Sequence, residues 1–219
     1  MNLEQARFNM IEQQIRPWSV LDQTVLQTMG SIPRDAFVPD SLVSMAYADI
    51  ETPLAHGESM MFPRVEGRML QELELTIEDE CLEIGTGSGY VTACLATMSK
   101  HVDSIDIYED FLGAATEKLA QHNISNVLLQ QKDALKDLSN PRNKQYDAIA
   151  VTGSIPEYIP VFEQLLKPNG RLFIVVGSGQ TMHAIKVHRD SNNNFVRTSI
   201  FETKLKSLVG VEQKSAFSF

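Results

Sequence analysis

Residues 81–91 read CLEIGTGSGYV, an apolar run that meets an acid and then passes three glycines before an aromatic. An apolar strand, a glycine turn and a following helical pattern are how a doubly wound α/β sheet presents its ligand-binding edge. Glycines spaced this closely let the backbone approach a ligand, because no Cβ stands in the way. Downstream, apolar runs at 81–84, 102–107, 127–131, 147–152 and 171–176 alternate with helical patterns at 88–99, 109–122 and 157–166. That alternation predicts right-handed βαβ units and a mostly parallel sheet. AIKVHR (184–189) and FVRTSIF (195–201), separated by Asp190 to Asn194, predict an antiparallel hairpin on the sheet edge. Five parallel strands and the hairpin give a seven-stranded, doubly wound α/β sheet of Rossmann-like type.

Upstream of the turn, residues 3–50 look helical. Phe8, Ile11 and Ile15 recur at helical spacing until Pro17, and Asp22 is an N-cap for a helix with Val25, Leu26 and Met29 on one face. TPLAHGESMMFP (52–63) carries proline near both ends and Gly57 inside, so an extended or looped segment is expected. RVEGRMLQELEL (64–75) returns to a helical pattern with Met69, Leu70, Leu73 and Leu75 as its apolar side. The expected organisation is one domain over 1–219. Residues 1–78 form a helical extension and cleft segment, and 79–219 form the ligand-binding core with the hairpin.

Nineteen basic against 28 acidic residues leave a net charge of −9. A protein that tracks nucleic-acid backbone needs a clustered basic surface, and none is visible. The N-terminus lacks the pattern of a signal peptide, and no apolar run approaches the roughly 18 residues of a membrane span. A cytoplasmic protein without a membrane partner is expected, and the sequence carries no signal of oligomeric state. Cys81 and Cys94 fall in a buried strand and the helix after it, where free thiols are expected. His56, His101, His183 and His188 are scattered without ligand spacing, so no metal is expected.

The glycines select the ligand. Gly85, Gly87 and Gly89 give G-x-G-x-G, whereas a dinucleotide turn reads G-x-G-x-x-G. Glu83, just before them, opposes a pyrophosphate but suits the sulfonium and ammonium of S-adenosyl-L-methionine. Asp106 ends the second strand, where an acid takes ribose hydroxyls, as it would for either class of cofactor. Asp133 follows the third strand in QQKDAL and suits an adenine amino group. The candidate donor-binding set is Glu83, Gly85, Thr86, Gly87, Ser88, Gly89, Tyr90, Asp106, Ile107, Asp133 and Ala134.

The chain resembles the protein-L-isoaspartate O-methyltransferases over nearly its whole length. The resemblance rests on RFNMIEQQIR (7–16), IPRDAFVP (32–39), AYAD (46–49), LEIGTGSGYVTACLA (82–96), YDAIAVTGSIPEYIP (146–160) and LKPNGRLFIVVG (166–177). It implies methylation, from S-adenosyl-L-methionine, of the α-carboxyl of isoaspartyl residues in damaged proteins, after which the ester collapses to a succinimide. The departure is at 57–63, where the family's Gly-Gln-Thr-Ile-Ser-x-Pro becomes GESMMFP. Gly57 and Pro63 keep the frame, Ser59 stands at the family's threonine, Glu58 at its glutamine and Met61 at its serine. Ser59 and Met61 are therefore the catalytic candidates, and His56, Gly57 and Glu58 the acceptor-side candidates. A thioether donates no hydrogen bond, so the hydroxyl would have to come from Ser59. Met60, Met61 and Phe62 also suit plain packing. SLVGVEQKSAFSF (207–219) lacks the family's Phe-Val-Pro-Leu-like stretch. A different acceptor on the same fold and donor, or a donor-binding protein with little turnover, both stay open on these residues.

Overall fold

The computed structural model describes residues 2–138, 144–179 and 181–211, so part of the 1–219 span, including 212–219, lies outside the described residues. Five strands run parallel: β3 (Glu80–Ile84), β4 (His101–Asp106), β5 (Val127–Gln131), β6 (Tyr146–Ile155) and β7 (Leu166–Ser178). The antiparallel pair β8 (Thr181–Arg189) and β9 (Phe195–Thr203) completes the seven-stranded order β5-β4-β3-β6-β7-β8-β9. The predicted sheet and its hairpin are both present. The chain leaves β3 toward β4 and β5, then crosses back to β6, so a crevice opens at the carboxyl ends of β3 and its neighbours.

The two-residue period of the strands sorts their side chains between two cores. Cys81, Val102, Ala148, Ala150, Phe173 and Val175 face a helical layer. Leu82, Ile84, Ile105, Ile149, Val151, Leu172 and Ile174 face the other side. The helical layer contains α1 (Leu3–Met10), α2 (Gln23–Ser31), α3 (Pro63–Glu72), α4 (Tyr90–Met98) and the Leu119 end of α5 (Glu109–Gln121). Both cysteines are buried and free.

Asp22 caps α2 as expected, accepting from the N–H groups of Thr24 at 2.8 Å and Val25 at 3.1 Å. Helix α1 runs on through a π turn (Ile11–Ile15) into a 3-10 turn (Arg16–Trp18), and Ser19 at φ 61° ends it. Ile11 and Ile15 are buried, but Phe8 is 58% exposed and Met10 takes the core position instead. Residues 32–50 hold only the 3-10 turns Arg34–Ala36 and Asp40–Met45, because Pro33 and Pro39 interrupt any longer helix. Met69, Leu70 and Leu73 pack as predicted, whereas Leu75 lies beyond α3 and is only partly buried.

The helix expected at 157–166 is absent. A 3-10 turn, Glu163–Leu165, is all that forms, and β7 already begins at Leu166 opposite Tyr146. Pro156 and Pro160 explain this: each lacks an N–H and pushes its predecessor out of helical geometry. That face therefore carries α6 (Ala134–Asp137) and irregular chain packed by Phe162 and Leu165. Among the described residues, no helix is long and apolar enough to cross a membrane.

Candidate functional site: the glycine turn and its cleft

Between β3 and α4 the backbone turns on three left-handed glycines, Gly85 (φ 100°), Gly87 (φ 50°) and Gly89 (φ 84°). Asp106, at the end of β4, ties the turn down. Its carboxylate accepts from Gly87 N–H at 2.9 Å and from Tyr108 N–H at 3.0 Å. Burial pushes the Asp106 carboxyl up from its ordinary range, against the opposing pull of those N–H groups. Thr152 holds the other side, its hydroxyl donating to the carbonyls of Ile84 at 2.9 Å and Gly85 at 2.8 Å. A Cβ on Gly85 would lie 2.3 Å from Thr152 Oγ1. Gly89 faces the opposite way, where a Cβ would come within 3.0 Å of Ala115 Cβ, so the third glycine serves the approach of α4 to α5.

The turn forms one wall of a cleft of about 780 Å³, open mouth included. Of the predicted residues, Gly85, Gly87, Asp106, Ile107, Asp133, Ala134, Glu58 and Ser59 line it together. Three carboxylates (Glu58, Asp106, Asp133) face two ammonium groups (Lys132, Lys206), which suits a cationic ligand. Asp133 also works locally: its Oδ1 accepts from Leu135 N–H as the cap of α6, and Lys136 pairs with it at 2.8 Å. Thr86, Ser88, Tyr90 and Met61 line a smaller cavity of about 320 Å³ behind the turn, shared with Ser59.

Glu83 is not at the lip where the sequence puts it. It is fully buried and accepts from Thr92 Oγ1 and Ser104 Oγ, both at 2.5 Å, while its Oε1 has no partner among the described residues. Strand alternation accounts for this, because Leu82 and Ile84 take one face and Glu83 must take the side of α4. Burial, only partly offset by the two hydroxyl donors, pushes its carboxyl from the ordinary 4.5 up to about 8. The folded state thus holds a proton that the unfolded chain has released, so this group's contribution to stability falls as pH rises from 4.5 toward about 8. Glu83→Gln removes the titration. Denaturant midpoints at about pH 5 and about pH 8 should fall between the two for the natural protein, and move clearly less for the variant. Equal pH slopes would contradict this assignment.

The family-departing segment forms a small ribbon. Strand β1 (Thr52–Pro53) pairs with β2 (Ser59–Met60), and the 3-10 turn Ala55–Gly57 joins them. His56 does not line the cleft. Its ring stacks on Tyr108 with centroids 4.1 Å apart, and its Nε2 lies 2.8 Å from the Asp110 carboxylate, which this contact holds below its usual range. It therefore anchors the ribbon to the start of α5. Gly57 likewise stays off the wall and offers its carbonyl to Lys206 at 2.6 Å. Met60 and Met61 are buried core residues, in keeping with their packing role.

Arg34 fixes the base of this ribbon. The guanidinium, fully buried, donates to both oxygens of Glu66 at 3.1 Å, to Ala46 O at 2.8 Å and to Met61 O at 3.0 Å. The IPRDAFVP stretch thus reaches the site through one side chain.

Sequence reasoning missed Leu54, Tyr108, Phe111, Lys132, Thr152 and the segment 205–209, all on the cleft wall. Tyr108 and Lys132 adjoin acids that were recognised, so proximity to strand ends was a usable signal. For 205–209 no local signal exists, since only the fold brings Leu208 against Gly153, where a Cβ would meet Leu208 Cδ2 at 2.6 Å. Ser154 binds that segment on both sides, donating to Lys206 O at 2.8 Å and accepting from Leu208 N–H at 2.9 Å.

The comparisons with known proteins agree with this geometry. The model of the family "Protein-L-isoaspartate(D-aspartate) O-methyltransferase (PCMT)" matches residues 5–213. Protein-L-isoaspartate O-methyltransferase of Herpetosiphon aurantiacus is 30% identical over 94% of this chain and 91% of its own length. The enzyme of the same name from Rhodopseudomonas palustris is 32% identical over 93% of each chain. In structure, a Plasmodium falciparum chain described as a protein-L-isoaspartate O-methyltransferase, solved with S-adenosyl-L-homocysteine, superposes with a TM-score of 0.79. It covers 95% of this chain and 98% of its own at 21% identity, which speaks for the fold. A family match over residues 5–213, relatives at this identity and a cleft built on an acid-tied glycine turn make the chain a member of the protein-L-isoaspartate(D-aspartate) O-methyltransferase family.

Proposed function

We propose that the cleft holds S-adenosyl-L-methionine and presents its methyl group to the α-carboxylate of isoaspartyl residues in damaged proteins. The observation that carries this reading is Asp106, which ties down the Gly87 N–H and lines the same cleft as Ser59. A carboxylate has about four acceptor positions, so Asp106 keeps capacity for ribose hydroxyls after binding two backbone N–H groups. Asp133 and Ala134 close the adenine end, and Gly85 and Gly87 run along the methionine portion. Ser59 lies at the acceptor end and offers the cleft-lining hydroxyl of β2, while Met61 contributes shape alone. The bound donor supplies an electrophilic sulfonium methyl. The acceptor carboxylate is already a nucleophile, so the chain's task is to hold it in line and keep water out. Glu58 would repel that carboxylate if unopposed, but Lys206 Nζ pairs with it at 2.8 Å. We read the 1–219 chain as one methyltransferase domain. Its two buried free thiols accord with a reducing cytoplasm.

The test is a product assay. Protein, donor and a synthetic isoaspartyl peptide are incubated, and mass spectrometry follows the peptide. The expected result is a gain of one methyl group, followed by loss of methanol to the succinimide. Ser59→Ala should lower kcat/KM by roughly tenfold or more, the cost of one hydrogen bond to a charged group. A protein that binds the donor and leaves the peptide unmodified overturns the reading.

A further inference from the structure

We propose that Lys206 docks the acceptor: its ammonium receives the α-carboxylate of the isoaspartyl residue where the donor cleft meets the groove beside it. The inference rests on the isoaspartyl reading of the site and names the group that recognises the substrate.

The second groove, about 840 Å³ with its open mouth, is lined by Glu51, Ser59, Met182, Lys204, Lys206 and Ser207 among others. Ser59, Leu205, Lys206 and Ser207 line both cavities, so they mark the passage between them. Lys206 is the one cation of that shared set, and its side chain is 45% exposed. An ammonium has three N–H donors. The structure commits two, to Gly57 O at 2.6 Å and Glu58 Oε1 at 2.8 Å, and the third remains for a carboxylate arriving past Ser59. Met61, where the family carries a serine, is a buried thioether behind the glycine turn. The shared side-chain donors are therefore two hydroxyls and one ammonium, and a charge-assisted bond is roughly twice as strong as a neutral one.

The chemistry sets a limit on this cation. In the transfer, a carboxylate oxygen bonds to the methyl carbon, the carbon–sulfur pair returns to sulfur, and both formal charges vanish together. An unopposed cation beside the carboxylate would stabilise it more before the transfer than during it, which slows the step. Glu58 answers this requirement by offsetting the Lys206 charge while leaving its N–H direction intact. After transfer the neutral ester loses the charge-assisted bond, which favours release. Glu58 and Lys206 thus act as a pair, and Glu58→Gln should tighten acceptor binding several-fold.

The test is equilibrium binding of a synthetic isoaspartyl peptide to protein saturated with S-adenosyl-L-homocysteine, whose retained binding also shows that each variant has folded. Lys206→Met is expected to weaken peptide binding by about tenfold or more, while Lys206→Arg stays within about threefold of the natural protein. The same peptide with that carboxyl amidated should bind the natural protein and Lys206→Met alike. Equal affinity of the natural protein and Lys206→Met for the acidic peptide overturns the proposal, as does no binding to the natural protein. Methyl transfer is scored separately. A rate on the isoaspartyl peptide with unaltered Lys206→Met binding removes only the role of Lys206. Carboxyl-dependent binding through Lys206 without methyl transfer keeps the docking site and removes the proposed reaction.

Discussion

Gly85→Ala raises the dissociation constant for S-adenosyl-L-methionine by roughly 5- to 100-fold. Two facts converge on this residue. Its φ of 100° lies where side chains other than glycine's are rarely found, and an added Cβ would sit 2.3 Å from Thr152 Oγ1. Strain of this kind costs about 1–3 kcal/mol, and each 1.4 kcal/mol is about a factor of ten in affinity. Thr152 cannot simply turn away, because its hydroxyl holds the Ile84 and Gly85 carbonyls. The backbone must shift instead, and the part that shifts is the cleft wall. Gly113→Ala is the matched control, since nothing lies within 4 Å of its added Cβ. Calorimetric titration of the donor reads the effect, with unfolding midpoints measured beside it. Unchanged affinity and unchanged stability in Gly85→Ala would contradict the geometry of the turn.

Arg34→Ala unfolds the protein on the order of 10 °C below the natural chain. The guanidinium and the Glu66 carboxylate are both buried, so removing the cation strands an anion in a dry site. Breaking a buried pair this way costs about 3–5 kcal/mol, and a chain of this size loses roughly 2–4 °C per kcal/mol. Arg34 also bonds the Ala46 and Met61 carbonyls, so the ribbon loses its base along with the ion pair. Converting both partners to apolar residues, Arg34→Met with Glu66→Leu, should recover most of the Glu66 part and little of the carbonyl part. Thermal unfolding of the three proteins checks this, and a single-variant loss below about 1 kcal/mol would count against it.

The legible parts of the fold were those written in local pattern. Strand β5 matches the apolar run at 127–131, and the hairpin followed from two runs around Asp190 to Asn194. The helix expected at 157–166 does not form, because Pro156 and Pro160 override its apolar spacing. Phe8 failed because apolar spacing does not say which face of a helix meets a neighbour. Within the site, Gly85, Gly87, Asp106 and Asp133 were readable because a doubly wound sheet brings successive strand ends to one edge. Glu83 was placed on the wrong side, since sequence gives the parity of a strand but not which face carries α4. The pairing of Glu58 with Lys206 spans 148 residues and arises only when the C-terminal segment settles on Ser154. A carboxylate at position 58, taken by itself, repels an anionic acceptor. In the folded chain its charge is offset.

The cleft is expected to transfer methyl groups selectively to an isoaspartyl carboxylate. The most direct test is the initial rate at saturating S-adenosyl-L-methionine on an isoaspartyl peptide against its normal aspartyl twin, with Met61→Ser run alongside. The natural protein is expected to methylate the isoaspartyl peptide at a clear rate and to leave the twin unmodified. Donor binding with no rate in the natural protein, and a rate appearing only in Met61→Ser, would contradict this.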